Sequence, residues 1–166
     1  MNKRLFRIVA AVAIIGLGFW GWKHFFPNPE QIIRRRLKDL SLAASSTPNQ
    51  TPFASLYNAQ KLAAFFTSDV EISVDVPGHS QQTLSGRDQL VPAAVSAWNA
   101  AGGLQVEFLD IAVTLAPDKQ SATVGLTGKG RIAGDPDFLV QELKFVFKKT
   151  DDGWLIQRVE TVKTLR

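Results

Sequence analysis

The sequence predicts an α+β fold in which an antiparallel sheet holds helices against one core, behind one N-terminal transmembrane helix. Three observations carry that expectation. The chain closes on a hairpin, Phe138 to Val162, whose two runs of Val, Phe, Leu and Ile flank Thr150-Asp151-Asp152-Gly153. An Asp-Gly pair between such runs marks a tight β-turn, because glycine accepts the positive φ that primed turns require. Asp69 to Val76 alternates without a fault, Val70, Ile72, Val74 and Val76 falling on one face, which is the period of a strand with one buried side. Upstream of it, two stretches that each open on a capping residue and a proline are separated by the polar loop SSTPNQTP, Ser45 to Pro52, the pattern of two helices.

Composition sets the outer limits. A chain of 166 residues with 45% hydrophobic residues has room for one domain and a sizeable core. The net charge of +4 comes from Lys3, Arg4, Arg7 and Lys23, so residues 28–166 hold 15 basic residues against 15 acidic ones. A formally neutral domain argues against nucleic acid as a partner, since phosphate neutralisation needs a net basic face. Cysteine is absent, which excludes disulfides, a thiolate nucleophile, a Cys-based zinc site and a lipid-modified Cys.

Residues 1–27 read as a cytoplasmic start and a membrane anchor. Ile8 to Trp22 carries no charge, and the apolar span from Leu5 to Phe26 covers 22 residues, or ~33 Å of helix at 1.5 Å per residue. Arg7 and Lys23 would snorkel to its ends. A cleavable signal peptide is the rival reading, but no small-x-small site ends the apolar run, and Trp20, Trp22, Phe25 and Phe26 sit where an interfacial aromatic belt belongs. Lys3, Arg4 and Arg7 place the N-terminus in the cytoplasm, so residues 28–166 are expected on the periplasmic or extracellular side.

The domain begins almost at the membrane. Asn28 caps a first helix with Pro29 at its start, and Ile32, Ile33, Leu37 and Leu40 form its apolar stripe. The Arg34-Arg35-Arg36 run could touch anionic headgroups, though a solvated helix face is the simpler expectation. Thr51-Pro52 opens a second helix whose apolar residues are Phe53, Leu56, Tyr57, Leu62, Phe65 and Phe66. After the Asp69 strand, Pro77-Gly78-His79-Ser80 turns into the short strand Gln82-Thr83-Leu84. Arg87 to Ala101 is a third helix bearing Leu90, Ala94, Val95 and Trp98, ended by Gly102-Gly103. Leu104 to Leu115 changes phase partway: Leu104, Val106 and Phe108 share one parity and Leu109, Ile111, Val113 and Leu115 the other. One extra residue near Phe108 to Asp110, a β-bulge, reconciles the two. Ala122, Val124 and Leu126 face inward on the next strand, followed in phase by Gly128 and Gly130, and the closing hairpin completes the sheet.

Two local patterns in this order of elements, Leu84-Ser85-Gly86-Arg87-Asp88-Gln89-Leu90 and Phe145-x-Phe147 leading to Trp154-Leu155-Ile156, resemble the nuclear transport factor two-like superfamily, also described as SnoaL-like or cystatin-like. The resemblance covers Asn28 to about Val162. It implies a cone-shaped α+β barrel, a curved sheet wrapped around helices with an apolar pocket inside. It implies no single function, because that fold hosts isomerases, cyclases, binding subunits and assembly modules. The pocket-lining residues expected on this plan are Tyr57, Phe65, Trp98, Phe108, Gln141 and Phe145.

An isomerase of the ketosteroid-isomerase type would need a carboxylate base in an apolar pocket and a donor for the enolate. Asp110 could swing inward at the bulge, and Asp69 lies where the second helix meets the first strand, yet its parity is that of the wet face. Tyr57, the one tyrosine, falls on the apolar stripe of the second helix, more in keeping with a core residue than with a catalytic donor. Gln141 and Thr161 are polar points in apolar strands. His24 and His79 lie too far apart in the plan to suggest a metal site, and no Gly-x-Ser-x-Gly elbow or glycine-rich phosphate loop occurs. No cofactor is expected. The leading expectation is therefore a membrane-anchored extracytoplasmic domain that binds an apolar small molecule or a protein partner without catalysis. Its alternatives are an isomerase or cyclase of this fold, and an assembly subunit of an envelope complex. On the assembly reading, a homodimer would form through the outer sheet face, with Phe138, Val140 and Val146 among Glu142, Lys144 and Lys148; the sequence alone leaves the oligomeric state open.

Overall fold

The computed structural model describes residues 28–75 and 82–162. The expected anchor over residues 5–26, the signal-peptide alternative, and the expectations for His24, Val76 and His79 lie outside them. Among the described residues no helix is long and apolar enough to cross a membrane.

Helices α1 (Pro29–Ala44) and α2 (Pro52–Ala63) precede strands β1 (Phe66–Val74) and β2 (Gln82–Ser85). Helix α3 (Arg87–Ala101) follows, and then β3 (Leu104–Leu115), β4 (Ser121–Ile132), β5 (Phe138–Thr150) and β6 (Gly153–Thr161). The helix starts obey local chemistry. Asn28 accepts a hydrogen bond from the Glu30 amide and Thr51 from the Ala54 amide, each satisfying a donor that the first helical turn leaves unpaired, and Pro follows each cap. Helix α3 starts differently: the Gly86 amide donates to the Val70 carbonyl, and the Arg87 guanidinium donates to the Phe66 carbonyl. The Gly-Arg pattern thus ties the helix to β1.

The strands form one curved six-stranded sheet in the order β2-β1-β6-β5-β4-β3. The expectation of an all-antiparallel sheet is corrected: β1 runs parallel to β6, with Ile72 opposite Val159, and the other pairs are antiparallel. The reason is topological. The first and last strands of the fold meet in mid-sheet, and the long intervening chain leaves them free to run in the same direction. β1 also starts at Phe66, three residues before the alternating run.

The β5–β6 turn closes at Gly153 with φ 100°, and Thr150 pairs with Gly153 as the Asp-Gly signal requires. The bulge in β3 is present: register slips between Leu109 and Ala112, and Asp110 takes φ 52°.

Helix α1 buries Ile33, Leu37 and Leu40 in a core completed by Val124, Leu126, Phe145, Phe147, Trp154, Ile156 and Val159. Fully burying one such side chain contributes about 1.5–3 kcal/mol, so α1 is held mainly by this stripe. Two of the three consecutive arginines are engaged in the fold, which corrects the simple solvated-face reading. Arg34 pairs with Glu30 and donates to the Ile111 carbonyl at 2.9 Å, while Arg36 donates to the Trp154 carbonyl and lies over the Phe65 ring.

Helix α2 keeps its expected contacts only at its end, where Leu62 and, just beyond it, Phe65 pack against the core. It buries Ser55, Ala59 and Ala63, whereas Phe53, Leu56 and Tyr57 are exposed, and Phe66 belongs to β1. Small residues at i, i+4 and i+8 let α2 approach its neighbours closely, which displaces the larger apolar residues to the outside.

Candidate functional site

The three groups weighed as catalytic occupy three unrelated settings and share no hydrogen-bond partner among the described residues. Asp110 is exposed at the bulge, where its carboxylate accepts from Thr127 Oγ1 at 3.2 Å. The bulge does not swing it inward. Asp69 is exposed on β1 and accepts from Gln157 Nε2 at 3.3 Å. The neighbouring Thr67 hydroxyl, the Asp69 backbone amide and the Gln157 amide hold its carboxyl below the ordinary carboxylate range, outweighing a small opposing effect of desolvation. Thr67 Oγ1 acts there by proximity, since it is buried and makes no well-aligned hydrogen bond. A general base for neutral pH needs the opposite shift. Tyr57, 52% exposed on α2, carries Lys61 Nζ 4.5 Å over its ring. Its expected place in the core is thereby corrected.

The residues expected to line an internal pocket divide. Phe108 and Phe145 do meet, edge to face at 5.7 Å, and Phe147 continues the cluster at 6.4 Å from Phe145. These rings pack as core. Phe65 is covered by Arg36, and half-buried Gln141 lies opposite Gly128 on β4. Trp98 is buried, and its Nε1 donates to the Ala44 carbonyl at 2.9 Å. It also borders a cleft of about 210 Å³ shared with Ser46, Ser55 and Asn99. Thr161, the second polar point, accepts from the Asp75 amide at 2.9 Å and so serves the β1 end.

The larger openings lie elsewhere. A cleft of about 460 Å³ runs between α2 and α3, walled by Leu56, Val91, Pro92 and Val95, with Ser96 and Asn99 as its polar members. Pro92 removes a backbone donor from this wall and lies exposed along it. A second cleft, about 330 Å³, opens between the Ser46–Pro48 loop and the start of β3, and includes Arg131. Arg131 and Lys129 both approach the Phe138 ring on the outer sheet face, 5.5 Å and 3.9 Å from its centroid. Sequence reasoning missed the α2–α3 cleft because it assigned Leu56 to the buried face. The signal that could have found it was the Ser55, Ala59, Ala63 spacing, a small-residue seam at helical period.

Among the described residues no three His, Cys, Asp or Glu side chains cluster as metal ligands. The α2–α3 cleft offers hydrophobic contact, with hydrogen-bonding groups at its Ser96 and Asn99 members.

A family model for the SnoaL-like domain matches residues 52–160. No curated protein gives a significant match. Among solved structures, an NTF2-like protein with a cystatin-like fold from Novosphingobium aromaticivorans superposes with TM-score 0.60 at 17% identity, over 97% of this chain and 90% of its own. A domain of unknown function with a cystatin-like fold from Nostoc punctiforme gives 0.59 at 17%, covering 82% and 78%. A candidate scytalone dehydratase from N. aromaticivorans gives 0.57 at 18%, covering 82% and 84%. At such identities the likeness is one of fold.

Proposed function

Since the chain belongs to the SnoaL-like domain family, whose fold serves ligand binding as well as isomerisation and dehydration, we propose that this member binds without catalysis. It is a membrane-anchored extracytoplasmic domain, held by residues 5–26, whose α2–α3 cleft receives an apolar small molecule or an apolar segment of a protein partner. The observation that carries this reading is a separation. The apolar cleft is walled by Leu56, Val91, Pro92 and Val95, while Asp69 and Asp110 sit in water on β1 and the β3 bulge. A carboxylate base gains its strength from an apolar, water-poor setting, and neither acid has one.

Native mass spectrometry of the full chain in lipid nanodiscs tests the proposal. A reproducible added mass on the wild-type protein, lost in Val95→Trp and retained in Asp69→Asn and Asp110→Asn, supports binding in the cleft. Conversion of the bound molecule by the wild type and not by either Asn variant would replace this reading with an isomerase, cyclase or dehydratase.

A second reading, self-association through the outer sheet face, draws on Phe138 and Val140. They are 47% and 62% exposed beside Lys129 and Arg131, a mixed apolar and charged surface suited to an interface rim. The same surface could serve an envelope assembly. Sedimentation of Val140→Glu against wild type separates either from a monomer.

A further inference from the structure

Helices α1 and α2 each carry exposed apolar or aromatic side chains and a lysine on their outward stripes. On α1 the stripe opposite the buried Ile33, Leu37 and Leu40 carries Arg35, Lys38 and Leu42, the latter two lying three and seven residues beyond Arg35. Arg35 and Lys38 have no ion-pair partner among the described residues, and Leu42 is 68% exposed. On α2 the outward residues are Phe53, at 81% exposure, Leu56 and Tyr57, with Lys61 over the tyrosine ring. The two helices are neighbours, since Arg36 of α1 covers Phe65 just beyond the end of α2. Apolar and aromatic side chains interleaved with unpaired cations, on adjoining helices, match the composition of surfaces that lie in a lipid interface.

The chain itself indicates what this surface meets. The apolar span ends at Phe26 and α1 starts at Pro29, so on the anchor reading, on which this inference rests, two residues separate the bilayer from the helix that bears Arg35, Lys38 and Leu42. So short a tether keeps the surface at a high effective concentration near lipid. The charge is complementary as well, because exposed lysine and arginine beside acidic phospholipid are attracted to it.

We propose that the outer face of α1 and α2 rests on a bilayer containing acidic phospholipid. Phe53, Leu56 and Tyr57 enter its interfacial zone and Arg35, Lys38 and Lys61 meet the phosphates. The cleft walled by Leu56, Val91 and Val95 then opens at the membrane surface, and its ligand is a molecule that partitions into lipid.

The absence of cysteine allows a direct test. The full chain carrying Leu42→Cys, Phe53→Cys or Lys144→Cys, each labelled with a nitrobenzoxadiazole dye, is reconstituted into phosphatidylcholine vesicles with and without phosphatidylglycerol, some containing nitroxide-labelled lipid. The expected result is blue-shifted emission and nitroxide quenching at positions 42 and 53, and neither at position 144 on the outer sheet face. Adding Arg35→Gln and Lys38→Gln to the position-53 reporter lowers the docking equilibrium constant roughly fivefold for each charge removed. Vesicle flotation and resistance to alkaline extraction report the anchor separately. A chain that floats but shows equal, solvent-like emission at all three positions overturns the docking proposal and leaves the anchor standing. Cross-linking between two Phe53→Cys chains without lipid quenching overturns it in favour of a second copy of the chain. Failure to float removes the anchor, and the docking proposal with it.

Discussion

The indole Nε1 of Trp98 donates to the carbonyl of Ala44 at 2.9 Å, joining the last turn of α3 to the last residue of α1 across 54 positions of sequence. Helix C-termini leave carbonyls without intrahelical partners, and a buried one lacking a donor costs stability. The neighbouring Ser45 side chain secures the same corner, donating to the Ser41 carbonyl and accepting from the Val106 amide. Trp98→Phe keeps most of the packing and loses the donor, so it is expected to lower stability by about 1–3 kcal/mol. Trp98→Ala should cost about 3–5 kcal/mol. Urea unfolding midpoints measure both, and a Phe variant as stable as wild type would show that water takes over the Ala44 carbonyl.

Asp110 is the residue that the β3 bulge requires to adopt φ 52°. An aspartate tolerates this region better than most side chains, and its carboxylate also accepts from Thr127 across the strand pair. Asp110→Gly should therefore be close to neutral, removing the strain along with the bond. Asp110→Val loses the bond and places a β-branched residue at positive φ, with an expected cost of about 1–3 kcal/mol. Thermal unfolding of the pair measures the difference, and neither variant is expected to alter ligand retention.

Much of this architecture was legible because local chemistry and tertiary structure agree along it. The caps at Asn28 and Thr51, the turn at Gly153, the inward Ala122, Val124 and Leu126, and the phase change around Asp110 each follow from a rule that acts over a few residues. Helix α2 was misread because its composition contradicts its packing. Periodicity assigns the large apolar residues to the core, but close approach between helices selected Ser55, Ala59 and Ala63 instead and left Phe53 and Tyr57 outside. The parallel β1–β6 pairing was illegible for another reason. Strand alternation reports which face is buried and carries no information about the direction of a partner as far along the chain as Val159 is from Ile72. The candidate site inherited the first of these errors, since a pocket that includes Tyr57 presumed that this part of α2 faced inward.

Gly103 links the cleft between the Ser46–Pro48 loop and the start of β3, at the rim of the fold, to the packing around it. It sits at φ 138°, and a Cβ built there would lie 2.9 Å from Ala133 Cβ and 3.0 Å from Pro48 Cγ. Both neighbours are themselves held: Ala133 donates its amide to the Gly103 carbonyl at 2.9 Å, and Ser46 and Leu104 exchange backbone hydrogen bonds beside Pro48. Gly103→Ala should lower stability by about 1–3 kcal/mol through backbone strain, and it should narrow the cleft bordered by Ser46, Pro48 and Gly134. The α2–α3 cleft is lined by other residues and should bind as before. Loss of ligand in Gly103→Ala, with the fold intact by circular dichroism, would move the functional site from the helices to the rim.

The Asp69 carboxylate offers a test by pH. Its folded-state pKa lies below the ordinary value of 3.8, the nearby Thr67 hydroxyl acting first, then its own amide and that of Gln157. A carboxyl whose pKa is depressed by folding contributes stability while ionised in both states, above its unfolded pKa. That contribution declines as pH falls below about 3.8 and is gone beneath the folded value. Asp69→Asn removes it at every pH. Wild type should therefore exceed the variant in urea midpoint at pH 7, and the two should converge as the solution is acidified through the carboxylate range. The gap should be small, because Asp69 is exposed and solvent screens its partners. Unfolding curves at pH 7 and pH 3 measure the convergence. A gap that widens toward acid would mean that Asp69 titrates above its ordinary range, the behaviour of a buried base, and would return Asp69 to consideration as a catalytic group.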